Sequence, residues 1–201
     1  MRRTTCLLSL GLLVLTAFAV GACRLPRQSQ TPRHWMLAPI EGAAPASEIE
    51  RSVGVGPVEF PAYLDRPSVV RRTSSNELHV AQFELWGQSL RENFTQVLGQ
   101  NLEILVPGLA AVSFPWKGPE QNLAYRLVVQ VDRFDAGPDD QVALDAAWAL
   151  HQGTSSGWLA GGRTALRVPV QGEGYSAIVA AMSQAVAALS REISPHLEAA
   201  R

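Results

Sequence analysis

The chain has 201 residues, of which 47% are hydrophobic and 17% charged, and its formal net charge is −1. These values are typical of a soluble globular domain of moderate size and exclude a largely disordered chain. No segment combines the dense basic charge and interleaved aromatic residues that nucleic-acid binding requires, which excludes nucleic acid as the main partner.

The first predicted element is a signal peptide. Arg2 and Arg3 precede an uncharged apolar run at residues 6–20, which is shorter than the ~20 residues of a transmembrane helix but typical of a secretory signal. The run ends in VGAC at residues 20–23, which resembles the bacterial lipobox, where the thiol receives a diacylglyceryl group and the peptide is cut before the cysteine. We therefore predict a lipoprotein signal peptide over residues 1–22 and lipidation, with three acyl chains, at Cys23.

The alternative for this segment is an ordinary secretory signal that leaves Cys23 as a free thiol. Cleavage would remove Cys6, the only other cysteine, and an unpaired exposed thiol is a liability in an oxidising compartment. Lipidation consumes the thiol, and several acyl chains anchor far more firmly than one. Arg24 follows the cysteine, and the absence of Asp at this position resembles the outer-membrane default of enteric bacteria.

We predict a flexible tether over residues 23–33. The sequence RLPRQSQTPR at 24–33 is polar, contains two prolines and shows no periodicity. Residues 34–199 are expected to form the folded domain. Alternating or β-rich stretches predict strands at 34–38, 51–59, 68–73 and 77–83, and Gly54 and Gly56 in the second mark points of close approach. One apolar stripe predicts a helix over 88–105, which Pro107-Gly108 ends.

Three further stretches alternate with period two, at residues 123–134, 141–151 and 163–170. Turn-forming segments separate them, which predicts an antiparallel meander with one buried face. The last predicted element is a helix over 175–193 that Pro195 ends; its apolar stripe indicates packing on the sheet, with a coiled-coil partner as the alternative. The expected fold class is α/β, a mixed sheet with mostly antiparallel edges and two long helices packed on it.

The sequence contains no recognisable catalytic or metal-binding motif. The histidines are scattered, at His34, His79, His151 and His196, and neither HExxH, GxSxG nor a complete P-loop is present. We therefore predict no enzyme activity, no metal and no cofactor, although a nucleophile–base pair assembled by the fold stays open.

The segment between Val55 and Arg72 stands out because Pro61 and Pro67 constrain the short span between them. This span holds Tyr63, Leu64, Asp65 and Arg66. It is either an ordinary capped turn or a rigid recognition loop displayed by the scaffold. The residues alone leave both interpretations open.

An ordered series of motifs runs through the mature chain: VGPVEFPAYLDRP at 55–67, NEL at 76–78, Trp86, and Asn93-Phe94. With this series the sequence resembles the ABC-type transport auxiliary lipoprotein family, the PqiC/YmbA-like group of intermembrane transport lipoproteins. The resemblance implies a Gram-negative lipoprotein on the periplasmic face of the outer membrane. It also implies a three-layer fold like the TolB N-terminal and anticodon-binding domains.

The same resemblance implies partners and a role. The partners would be MCE-domain proteins of a lipid transport system, whose periplasmic tube the lipoprotein docks as a homo-oligomeric ring without hydrolysing ATP. For partner binding we expect Tyr63, Leu64, Asp65, Arg66 and Trp86. The alternatives are a structural outer-membrane assembly lipoprotein and a periplasmic hydrolase of lipid or cell wall.

Overall fold

The computed structural model describes residues 30–42, 48–116, 123–153 and 157–200. Within these ranges the chain forms eight strands and two helices. In chain order they are β1 (Arg33–Trp35), β2 (Arg51–Glu59), β3 (Ser68–Ser74), β4 (Glu77–Trp86), α1 (Leu90–Leu105), β5 (Leu109–Ser113), β6 (Tyr125–Ala136), β7 (Gln141–Gln152), β8 (Gly157–Pro169) and α2 (Gly174–Ala199).

The long strand β6 organises the sheet. On one side it pairs antiparallel with β7, which pairs antiparallel with β8. On the other side β6 pairs in parallel with β2 over its first half and with β3 at its end. β5 extends the sheet beyond β2, and β4 and β1 extend it beyond β3. The predicted meander and the mixed α/β class are confirmed.

Both helices pack on one side of the sheet, which we call the inner face. Trp148 of β7 and Thr164 of β8 contact Glu192 of α2 on this face. Gly99 of α1 lies so close to β5 that a Cβ there would be 3.2 Å from the Cβ of Ala111. Side chains alternate along each strand, so the remaining strand residues point to the opposite side, the outer face.

The predicted end of α2 is wrong, because Pro195 lies inside the helix, which continues to Ala199. Proline removes one helical hydrogen bond, the one to the carbonyl of the residue four positions earlier. That carbonyl belongs to Arg191, and the Ser194 hydroxyl donates to it at 3.4 Å. Beyond the proline, Leu197 is fully buried, so core packing offsets the cost of continuing the helix.

The chain after β1 forms a strap, residues 36–41, that crosses the two helices. The strand predicted over residues 34–38 ends earlier, at Trp35, because the following backbone is bound by helix side chains instead of a sheet neighbour. Its N–H groups donate as follows: Leu37 to Asn93 Oδ1 (2.6 Å), Ala38 to Ser183 Oγ (3.1 Å) and Ile40 to Asn101 Oδ1 (2.8 Å).

The short strand β5 and the first half of β8 were not predicted. β5 has small residues without clear alternation, and two side chains complete its hydrogen bonds. Glu103 accepts from the Ala111 N–H at 2.8 Å, and the Trp116 indole donates to the Val112 carbonyl at 3.1 Å. β8 begins at Gly157, not at residue 163, because its glycine-rich start pairs with the end of β7.

Candidate functional site

The segment between the two prolines, Pro61–Pro67, forms a compact loop between β2 and β3; we call it the proline loop. Two overlapping turns shape it, with the Leu64 N–H donating to the Pro61 carbonyl at 2.9 Å and the Asp65 N–H to the Ala62 carbonyl at 3.3 Å. The Trp86 N–H donates to the Pro67 carbonyl at 2.6 Å and fixes the end of the loop. The loop is thus held by its own backbone and by β4.

Two side chains attach the proline loop to the domain. Leu64 is 3% exposed and belongs to the hydrophobic core. The Tyr63 hydroxyl reaches the outer face of the sheet and donates a 2.8 Å hydrogen bond to Asp135 Oδ2 of β6. A loop fixed at both these points presents its remaining side chains in a defined arrangement, as a rigid recognition loop requires.

Asp135 is the centre of a buried polar cluster beneath the loop. Its side chain is fully buried, and Arg133 donates to it at 3.0 Å and Arg72 at 3.4 Å, in addition to Tyr63. A buried carboxylate is tolerated when opposite charges and hydrogen bonds surround it in this way. Burial, reinforced by the hydrogen bond to Asp135, raises the pKa of Tyr63 from 10.0 to about 12.

The exposed charged residues of the proline loop are Asp65 and Arg66. Asp65 forms a 3.1 Å ion pair with Arg91 in the first turn of α1, and both side chains are largely exposed. Among the described residues, the Arg66 side chain has no ion-pair or hydrogen-bond partner. It lines a cavity of about 320 Å³ between the loop and the start of α1, together with Asp65, Pro67, Trp86 and Gln88.

A second cavity of about 620 Å³ lies on the other side of the first turn of α1. Arg91 and Gln88 line it, together with the exposed Phe114 and the carboxylates of Glu59 and Glu92. The two cavities share Gln88, so the surface around this turn is concave on both sides. Such a surface provides room for an extended segment of a partner.

The five residues expected to bind a partner divide into two groups. Asp65 and Arg66 are exposed, whereas Leu64 and Trp86 are buried and Tyr63 is half-buried. The buried members support the loop, and the exposed pair is the part that a partner could touch directly. The sequence did not indicate Asp135, Arg72 or Arg133, because nothing in a local pattern shows that the tyrosine of a loop meets a strand carboxylate.

The described residues contain no group of three or more His, Cys, Asp or Glu side chains that could hold a metal ion. None of the helices within the described ranges is long and apolar enough to cross a membrane. The predicted signal peptide, Cys23 and most of the tether over residues 23–33 lie outside the described residues.

Comparison with known proteins gives one family and several relatives. The family model for the ABC-type transport auxiliary lipoprotein component matches residues 35–194. The intermembrane transport lipoprotein PqiC of Escherichia coli K12 is 31% identical over 109 residues, which cover 54% of this chain and 56% of the relative. The aligned part thus spans only about half the length of that curated relative.

Solved structures match over a larger part of the chain. A crystal structure of an uncharacterized protein has a TM-score of 0.69 and 25% identity, and the match covers 84% of this chain and 99% of that one. A protein from Xanthomonas campestris has a TM-score of 0.64 and 18% identity, covering 84% of this chain and 100% of that one. The second likeness establishes a shared fold.

Proposed function

The chain belongs to the ABC-type transport auxiliary lipoprotein family, and on that premise we propose that it is the lipid-anchored, non-enzymatic component of an MCE-type intermembrane lipid transport system. In this role it docks the periplasmic tube of MCE-domain proteins at the outer membrane and supports the integrity of the envelope. The family match over residues 35–194 is the observation that carries the proposal.

The anchor in this proposal is the lipid on Cys23, followed by a tether that ends at β1. The VGAC motif and the description of the family as lipoproteins support it. The residue after the cysteine is Arg24 and not Asp, which favours the outer membrane. A ring of several copies is the arrangement implied by the resemblance, and it would surround or cap the end of a tube.

The docking surface in this proposal is the exposed part of the proline loop with the adjoining first turn of α1. The turns, the buried Leu64 and the bond between Tyr63 and Asp135 hold the loop in one arrangement. Because a pre-ordered loop loses little conformational entropy on binding, most of the interaction energy is available for affinity. Asp65 and Arg66 would give this contact its charge pattern.

A non-enzymatic role is supported by the environment of the buried carboxylate. Asp135 is fully buried and accepts hydrogen bonds from three side chains, an arrangement that stabilises the fold and makes this carboxylate unsuited to proton transfer. The family description names a transport component and not an enzyme.

Capture from detergent-solubilised membranes tests the proposal. Tagged full-length protein should recover an MCE-domain protein, and Arg66→Glu should weaken that recovery because it reverses the charge of the loop. His79→Glu on the exposed part of β4 is the matched control and should capture normally. Recovery of no MCE-domain protein, with an intact permeability barrier after deletion of the gene, would instead favour a structural assembly lipoprotein.

A further inference from the structure

Trp158 is the most exposed aromatic side chain among the described residues, with 65% of its surface accessible. It lies at the start of β8, next to Leu159, which is 36% exposed. The Trp158 indole lies on the outer face, because a Cβ on Gly161 there would be 3.2 Å from its Nε1. Large apolar side chains exposed at the end of a sheet are candidates for contact with a partner or a membrane.

Trp158 is one end of a line of residues that crosses four strands on the outer face. Trp158 pairs with His151 of β7 across the sheet. His151 in turn pairs with Arg126 of β6, and Arg126 pairs with Gly54 of β2. The space above Gly54 is filled by the Leu123 side chain and the Trp116 indole, since a Cβ there would be 2.3 Å from Leu123 Cδ1 and 2.6 Å from the indole ring. We call Trp116, Arg126, His151 and Trp158 the aromatic row.

The chemistry of the aromatic row matches a bilayer interface. Tryptophan prefers the level of the lipid headgroups, where its ring is in an apolar environment and its N–H is hydrated. Arg126, whose Nε donates to the Gly153 carbonyl at 2.8 Å, places a positive charge between the two indoles. A positive charge at this level is attracted to anionic lipid headgroups.

The size of the patch also favours a lipid surface over a protein partner. A stable protein interface takes about 800 Å² from each partner, and among the residues that the structure describes only Trp158 and Leu159 project as exposed large apolar side chains at this end of β8. A contact with the membrane interface needs less area when a lipid anchor already holds the protein there. The anchor gives the second contact a high effective concentration of membrane, so a weak contact is enough.

The tether is long enough for this contact. The ten residues from Arg24 to Arg33 can extend to about 35 Å. β1 pairs with β4, β4 with β3, and β3 with the C-terminal end of β6. These pairings place β1 level with the C-terminal half of β6, roughly 25 Å from Arg126 along the strand direction. The anchor on Cys23 and the aromatic row can therefore meet the same membrane.

We propose that the aromatic row is a membrane-contact site that rests on the headgroup region of the bilayer carrying the lipid anchor. The inference rests on the proposed anchor at Cys23. It gives the domain an orientation in which the end of the sheet that carries the aromatic row faces the lipid, and the proline loop, towards the other end of β6, lies farther from it. The contact is interfacial, so Trp158 and Leu159 enter the headgroup level without crossing the bilayer.

Fluorescence quenching tests this site on the full-length protein, after mass spectrometry has verified its lipidation. The protein is reconstituted into vesicles of phosphatidylethanolamine and phosphatidylglycerol whose acyl chains carry bromine, a short-range quencher of tryptophan. Tryptophan emission should be quenched relative to vesicles without bromine; Trp158→Phe should reduce that quenching, and Trp116→Phe with Trp158→Phe, which removes both indoles of the row, should remove most of it. Trp35→Phe, at the opposite edge of the sheet, is the control and should leave the quenching unchanged.

Two results would overturn the proposal. Quenching that persists in Trp158→Phe but disappears in Trp35→Phe would mean that another face lies on the bilayer. Absence of quenching would overturn it as well, and self-association that Trp158→Phe abolishes would then assign the row to contact between copies of the chain. No transport partner is present in the vesicles, so this result and the capture experiment can fail independently.

Discussion

At the scale of single residues, Asp135 explains why the proline loop has one arrangement. The carboxylate is fully buried, and two arginines and the Tyr63 hydroxyl surround it. The Arg72 guanidinium also lies 5.8 Å from the centre of the Tyr63 ring, so this tyrosine is held by a cation–π contact as well as by its hydrogen bond. Removing the hydroxyl would leave the buried carboxylate with one donor fewer, which costs stability.

The raised pKa of Tyr63 predicts a pH dependence. Its pKa is about 12 in the folded protein against the ordinary 10.0, so between these values the unfolded chain loses the proton while the folded protein keeps it. The contribution of Tyr63 to the free energy of unfolding should therefore be fully present below pH 10, and it should be lost as the pH rises towards 12.

The variant Tyr63→Phe isolates this effect. Urea unfolding of both proteins should give a difference in unfolding free energy that is largest below pH 10 and shrinks towards pH 12, because only the wild type has this proton to lose. Burial also raises the pKa of Tyr175, but this residue is present in both proteins, so its contribution cancels in the difference. The same difference at every pH would contradict the assignment.

At the scale of elements, periodicity predicted most strands and both helices, because their apolar residues face a single core. Pro195 misled the prediction of the end of α2, since no local pattern shows that Leu197 beyond it is buried. β5 was missed because its partners, Glu103 and Trp116, come from other segments. The two prolines did indicate the proline loop, but its contact with Asp135 depends on the tertiary fold.

The strap, residues 36–41, is held on α1 partly by the side chain of Asn101. Asn101 is fully buried; its Oδ1 accepts from the Ile40 N–H and its Nδ2 donates to Ser190 Oγ at 3.2 Å. Asn101→Ala leaves these groups without their partner, so it should lower the unfolding free energy by about 1–3 kcal/mol. Hydrogen exchange should show faster exchange of the Ile40 amide.

Gln96→Ala is the control for the strap, because Gln96 is on the same helix but exposed. It should leave both the unfolding free energy and the Ile40 exchange rate close to those of the wild type. Equal effects from the two variants would mean that α1 itself is perturbed and that the asparagine does not hold the strap specifically.

At the scale of the whole molecule, the proposed contacts lie towards opposite ends of β6. Asp135, beneath the proline loop, and Arg126, in the aromatic row, are nine residues apart on that strand, a separation of about 30 Å. With the aromatic row on the bilayer, the loop would face the periplasm, where an approaching transport protein could reach it. The sequence could not predict this arrangement, because it depends on strand registers that join distant parts of the chain.

Site-specific photo-cross-linking in intact cells tests whether the proline loop contacts an MCE-domain protein. A photoreactive amino acid at Arg66 in the proline loop is compared with the same amino acid at Gln184, an exposed position on α2, and the products are identified by mass spectrometry. We expect the photoreactive amino acid at position 66 to cross-link to an MCE-domain protein and the one at position 184 not to do so. Cross-links from Gln184 alone, or none to an MCE-domain protein from either position, would contradict it.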